Sequence, residues 1–126
     1  MQPSAVRSQV SVVDDDESVR DALPDLLEEF GFVVHTFASA EEFLASDCLG
    51  RSDCLILDIS MPGMTGPELQ RELARRRQTT PIVFITGESD AVVRRRVIAD
   101  GAVACLLKPF SETALLGALG KAMQPR

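Results

Sequence analysis

Apolar positions fall along this chain in two alternating rhythms. Short unbroken runs, Val10–Val13, Phe32–Phe37, Cys54–Leu57, Pro81–Thr86 and Val103–Leu107, read as five strands. Between them the spacing becomes helical. Val19, Leu23, Leu26, Leu27 and Phe30 fall at i, i+4, i+7, i+8 and i+11, one helix face, and Gly31 follows as a C-terminal stop. Ser39-Ala40-Glu41-Glu42 and Thr65-Gly66-Pro67-Glu68 have the form of capping boxes, the second with proline in the first turn, where its missing N–H costs little. Asp90–Asp100 reads as a helix stopped by Gly101. Ser111–Met123 reads as a last helix with Leu115, Leu116 and Leu119 inward. Pro24 sits inside the first helix, where a proline removes one backbone bond. The leucine spacing continues through it, which predicts a kinked helix rather than two short ones.

Five strands and five helices in strict alternation predict an α/β fold. Runs such as Cys54-Leu55-Ile56-Leu57 are continuous, as expected when helices cover both sheet faces. Strands joined through helices run parallel with right-handed crossovers. The expected architecture is a doubly wound, five-stranded parallel sheet with five helices.

Composition narrows the class. The 126 residues suit a single domain, 1–126, with an ordered core of about 8–123, loose ends at 1–8 and 124–126, and no room for an output module. The chain is 45% apolar and 25% charged, ordinary globular values that argue against disorder. Thirteen Lys+Arg against nineteen Asp+Glu leave a net charge of −6, which disfavours non-specific nucleic-acid binding. The longest apolar run, Ala102–Leu107, falls far short of the ~20 residues a membrane span needs. The N-terminal MQPSAVRSQV has no signal-like apolar stretch. Cys48, Cys54 and Cys105 are odd in number and not tightly spaced. They read as free thiols of a cytoplasmic protein, not as a disulfide framework or a zinc site. Trp and Tyr are absent, so an aromatic base-stacking platform is not expected.

Ligands of an open parallel sheet bind outside the carboxyl ends of its strands. Asp14-Asp15-Asp16-Glu17 follow the first strand, Asp58 the third, Thr86-Gly87 the fourth and Lys108-Pro109 the fifth. An acidic run is more often a solvated face, and a lone aspartate after a strand is often a helix cap. Asp58 is a poor cap, because the next helix opens near Thr65. Carboxylates gathered at one edge repel unless a cation sits among them, and hard oxygen ligands with open positions suit Mg²⁺. Lys108 adds a point charge able to hold a phosphate oxygen, and Thr86 adds a hydroxyl. Such a set suits phosphoryl transfer, with a carboxylate able to serve as nucleophile.

These residues, together with Leu57-Asp58-Ile59-Ser60-Met61-Pro62-Gly63-Met64-Thr65-Gly66, Phe84-Ile85-Thr86-Gly87 and Lys108-Pro109-Phe110, carry a resemblance. The sequence resembles the receiver domain of two-component response regulators, most like the nitrogen-fixation transcription regulator type. The motifs occur in family order over nearly the whole chain. The resemblance implies a strand order of 2-1-3-4-5. It implies that Asp58 accepts a phosphoryl group from a phosphohistidine. Asp15 and Asp58 would ligate Mg²⁺ with the backbone carbonyl of Ser60, and Asp14 would act directly or through water. Lys108 would hold a phosphoryl oxygen and pair with Asp58 beforehand. Thr86 would carry the signal to the face made by the fourth helix, fifth strand and fifth helix. The implied partners are a sensor histidine kinase or a histidine phosphotransfer protein, and a second copy in a phosphorylation-dependent homodimer through that face. Neither nucleic acid nor membrane is an implied partner of this domain. Its chemistry would be limited to its own phosphorylation and dephosphorylation, not that of an enzyme, and its output would be control of a partner or effector in transcription regulation.

One position departs from the family. Three residues before the lysine stands Cys105 where Tyr or Phe is usual, and a thiol cannot fill an aromatic pocket. Switching would then rely on the loop and the fourth helix, or be muted. Arg75-Arg76-Arg77 and Arg94-Arg95-Arg96 read as solvated helix faces, the second on the expected output side. His35, the one histidine, lies in the second strand, so Ser/His or Cys/His catalysis has little support. Two other classes fit less well. An aspartate-nucleophile phosphatase would want Asp-x-Asp after the first strand and a cap insertion. A flavodoxin-like cofactor carrier would want a first loop that welcomes phosphate, and four acids there repel it.

Overall fold

The computed structural model describes residues 8–87 and 91–124. Its order is β1 (Gln9–Val13), α1 (Glu17–Glu28), β2 (Val33–Phe37), α2 (Ala40–Leu44), β3 (Cys54–Asp58), α3 (Gly66–Arg75), β4 (Ile82–Thr86), α4 (Ala91–Ala99), β5 (Ala104–Leu107) and α5 (Glu112–Ala122). The strands form one parallel sheet in the order β2-β1-β3-β4-β5. The expected α/β architecture and strand order are therefore observed. The residues expected as loose ends lie largely outside the described residues, as does Asp90, the expected start of the fourth helix.

Alternate side chains of each strand enter opposite cores. Val10, Val12, Cys54, Ile56, Val83 and Ile85 pack against Leu23 and Leu27 of α1 and Leu115 and Leu119 of α5. Val13, Leu55, Leu57 and Phe84 pack against Phe43 of α2, Leu69 and Leu73 of α3 and Val97 of α4. Every residue of β3 and β4 is buried, which accounts for their unbroken apolar runs. Edge strand β2 leaves His35 and Thr36 exposed.

The boundaries follow local chemistry. Asp16 caps α1, Thr65 caps α3 in a reciprocal box with Glu68, and Ser111 caps α5. At α2 the box is displaced: Ser39 accepts from the Glu42 N–H, but Glu42 reaches back to Ala38 rather than to the capping residue. α1 runs as one helix with Pro24 inside it. It ends at Glu28, before Phe30. Gly31, at φ 90°, donates to the Glu28 carbonyl while Phe32 donates to Leu27, the paired bonds of a Schellman cap. Phe30 thus lies past the helix and is 51% exposed, not on the buried face, and Phe32 is taken up by the cap, so β2 begins one residue later than its apolar run. The first arginine triplet is divided in the same way. Arg75 ends α3, and Arg77 stands beyond it at φ 61°, with Arg77 and Gln78 closing the cap onto Ala74 and Leu73.

Candidate functional site

The carboxyl ends of β1, β3, β4 and β5 lie side by side, and the charged residues that follow them meet there. Asp14 extends β1, its N–H still on the Phe37 carbonyl, and it is fully buried. Its Oδ1 accepts from the Asp16 N–H at 2.9 Å, and its carbonyl accepts from Arg20 Nη1 at 2.9 Å. The acidic run is not one solvated face: Asp14 is buried, while Asp15, Asp16 and Glu17 are exposed. Asp16 caps α1, accepting from the N–H and Oγ of Ser18, and these bonds hold its carboxyl below the usual range. Asp15 is exposed and faces the buried pair, with carboxylate oxygens of Asp14, Asp15 and Asp58 all within 4.8 Å of one another.

Asp58 ends β3 and is 5% exposed. Burial pushes its carboxyl up to about 7, helped by the charge of Asp14 and opposed by Lys108 and the Ser60 backbone N–H. Lys108 reaches in from the end of β5. Its Nζ donates to Asp14 Oδ2 at 2.9 Å and stands 3.9 Å from Asp58 Oδ1. Lys108 therefore bonds Asp14 most closely, whereas the family resemblance pairs it with Asp58. Burial pulls the Lys108 ammonium down, but the Asp14 hydrogen bond and the charges of Asp58 and Asp14 outweigh it and hold the group above its usual value. Its backbone N–H donates to the Thr86 carbonyl at 2.7 Å, so the lysine and the threonine at the end of β4 share one rung of the sheet. Thr86 is 2% exposed. Ser60 is exposed in the loop after β3.

Three supporting residues carry no marked signal in the sequence. Gly66 begins α3 against the backbone beneath Asp58. A Cβ there would overlap the Asp58 carbonyl oxygen and come within 3.0 Å of Ile59 Cα and Phe84 Cε1, while its N–H donates to Ile59. Glu41 of α2 accepts from the Met64 N–H at 3.0 Å and so holds the β3–α3 loop from outside. Arg20 fixes the β1–α1 loop. Only the glycine could have been suspected, from its place between a capping threonine and a proline. The other two contacts need the fold.

The remaining singled-out residues lie elsewhere. His35 is exposed, with Nε2 3.1 Å from Gln9 Oε1. Cys48, Cys54 and Cys105 are free thiols. Cys54 is buried on β3 and pushed up to about 12 by burial. Cys105 sits on β5 opposite Phe84. Burial raises its thiol, and Arg94 opposes the rise. Arg94, Arg95 and Arg96 are exposed on α4.

Buried carboxylates around a lysine, at the carboxyl edge of a parallel sheet, can hold a hard cation and stabilise a transferring phosphoryl group. The donor set fits Mg²⁺: all-oxygen, doubly buried, with one carboxylate open to solvent.

Comparison with known proteins identifies the family. The model of the response regulator receiver domain matches residues 10–120. The response regulator protein TodT of Pseudomonas putida is 39% identical over 117 residues, covering 93% of this chain and 52% of TodT. The transcriptional regulatory protein FixJ of Rhizobium meliloti is 37% identical over 115 residues, 91% of this chain and 56% of FixJ. The solved structure of response regulator StyR superposes with a TM-score of 0.87 at 44% identity, covering 94% of this chain and 60% of that one. The chain spans about half the length of the curated relatives it matches.

Proposed function

This chain belongs to the response regulator receiver domain family of two-component systems, and from that premise we propose that Asp58 is the residue that accepts a phosphoryl group from a phosphohistidine of a sensor histidine kinase or histidine phosphotransfer protein. The observation that carries the proposal is the buried Asp14–Lys108–Asp58 arrangement, with Nζ 2.9 Å from one carboxylate and 3.9 Å from the other.

In the proposed reaction an Asp58 carboxylate oxygen attacks phosphorus, an O–P bond forms, and the N–P bond to the histidine breaks. The imidazole leaves with the bonding pair. Asp14, Asp15 and Asp58, with the Ser60 carbonyl, would hold Mg²⁺, which when bound offsets the negative charge of the carboxylates and the incoming phosphoryl oxygens. Lys108 supplies the protein's own positive charge. It already stands between the two aspartates, so it can follow a phosphoryl oxygen on Asp58 without leaving Asp14. Burial favours transfer, since charge interactions strengthen where water is excluded.

The new group carries about −1.5 to −2 charges in place of the single charge of the carboxylate, with strong acceptor oxygens at the sheet edge that Thr86 shares. Thr86 shares a backbone bond with Lys108, and β5 leads directly to the exposed Leu107 and half-buried Cys105. The reading is that Thr86 turns toward the phosphoryl group and the face of α4, β5 and α5 responds, binding a second copy or an effector in transcription regulation. With Cys105 on β5, no aromatic ring follows Thr86 inward, and α4 carries the response. The chain acts as a phospho-acceptor and not as an enzyme on diffusible substrates.

The test is intact mass after incubation with acetyl phosphate. The protein should gain one phosphoryl group with Mg²⁺ and none with excess EDTA. Equal modification with and without the metal would count against the cation site, and no modification under either condition against the acceptor role.

A further inference from the structure

The two ends of helix α4 differ in exposure. Val92 near its start is 63% exposed, Val93 is half-buried, and Val97 is fully buried. Past its end, Gly101 at φ 111° donates to the Ile98 carbonyl and Ala102 to the Val97 carbonyl, both at 3.0 Å, a Schellman cap with buried Ala102 as its apolar partner. The Val97 carbonyl takes a second donor. Nε2 of Gln70, on α3, reaches it at 3.0 Å.

Gln70 is an unusual choice for that place. It is 5% exposed, and its Oε1 has no hydrogen-bond partner among the described residues. An unpaired buried carbonyl costs at least as much as one neutral hydrogen bond returns, so the amide adds little net stability there. What it does provide is a directional bond from α3 to the cap of α4. The bond falls at the end of the helix remote in sequence from Thr86, while the Ala91 end, nearer in sequence to Thr86, is exposed.

We propose that Gln70 is a positioning residue: its bond to the Val97 carbonyl makes the C-terminal cap of α4 a pivot, and the Ala91 end is the part that swings when Asp58 is modified. The pivot rests on the proposed switching role of Thr86, but its existence in the unmodified protein is testable without it.

The experiment is ¹H–¹⁵N NMR of the whole chain, with Mg²⁺ and beryllofluoride as a stable phosphoryl mimic, and amide exchange of the unmodified protein. In the wild type, the mimic should shift resonances at the start of α4 and leave the Gln70 side-chain amide and the Ala102 amide in place. Gln70→Met removes the bond and the unpaired carbonyl together. Its urea midpoint should equal or exceed that of wild type, while the Gly101 and Ala102 amides exchange about fivefold faster. A glutamine with a merely structural role would move local and global stability together. The pivot is overturned if the Gln70 side-chain amide shifts along with the start of α4, or if exchange at the cap is unchanged in Gln70→Met. If beryllofluoride perturbs nothing near Asp58, the acceptor reading fails, and the exchange comparison still decides whether Gln70 holds the cap.

Discussion

Replacing Asp58 with asparagine should stabilise the metal-free protein, and only at higher pH. The side chains differ by charge and not by size. At an effective dielectric of about 20, the 3.9 Å approach of Lys108 favours an ionised Asp58 by roughly 4 kcal/mol. Asp14, within 4.8 Å, opposes it by roughly 3.5 kcal/mol or more. These nearly cancel, so burial decides, which is why the carboxyl rises to about 7 from 3.8. That rise corresponds to at most about 4 kcal/mol of disfavoured ionisation. An acid whose folded value is raised stabilises the fold below its unfolded value, and that contribution disappears as pH climbs through the folded value. Wild-type stability should therefore fall between about pH 4 and pH 7 relative to Asp58→Asn. The two should agree near pH 4 and differ by roughly 2–4 kcal/mol above pH 7.5, or about 10 °C in Tm for a domain of this size. Urea titrations followed by circular dichroism in EDTA, at steps from pH 4 to 8.5, measure the difference directly. Parallel curves across the range would refute the claim that the buried pair is strained at neutral pH, and a less stable Asn variant at pH 8 would reverse the sign of the argument.

Other changes have definite expected outcomes. Lys108→Met leaves Asp14 buried beside Asp58 with no positive partner, so the metal-free protein should lose more than about 2 kcal/mol at pH 8 in the same titrations. Saturating Mg²⁺ should recover part of that loss. Gly66→Ala forces a methyl group against the Asp58 carbonyl. It should cost more than about 2 kcal/mol and slow modification by acetyl phosphate, because the backbone beneath the acceptor must move. Arg77→Gly should do the opposite: at φ 61° a side chain is strained and glycine is not, so the urea midpoint should rise by about 1 kcal/mol equivalent.

Much of this architecture is legible in the residue order, for a physical reason. A parallel sheet covered on both faces needs unbroken apolar strands, and Cys54–Leu57 or Ile82–Ile85 leave little else to be. Capping chemistry is local, so Thr65 and Glu68 could be paired on spacing alone, as could Gly31 with the end of α1. Phe30 misled because helical periodicity does not stop where the backbone does: the cap at Gly31 claims the last turn before the phenylalanine can face inward. The site is legible in part. Residues that follow strands are brought to one edge by topology, so Asp14, Asp58, Thr86 and Lys108 could be grouped in advance. Their division of labour could not. That Asp16 is used as a helix cap, that Lys108 sits closer to Asp14 than to Asp58, and that Gln70 reaches the end of α4 from another helix all depend on distances that no spacing rule carries.

The central claim is that Asp58 itself is the phosphoryl acceptor. An acyl phosphate can be reduced with borohydride, which converts the modified aspartate to homoserine at its place in the chain. After treatment with acetyl phosphate and Mg²⁺, peptide mapping should find homoserine at position 58 and nowhere among Asp14, Asp15 and Asp16, and none at all in Asp58→Asn. Conversion at one of the β1 aspartates, or undiminished labelling of the Asn variant, would contradict the account.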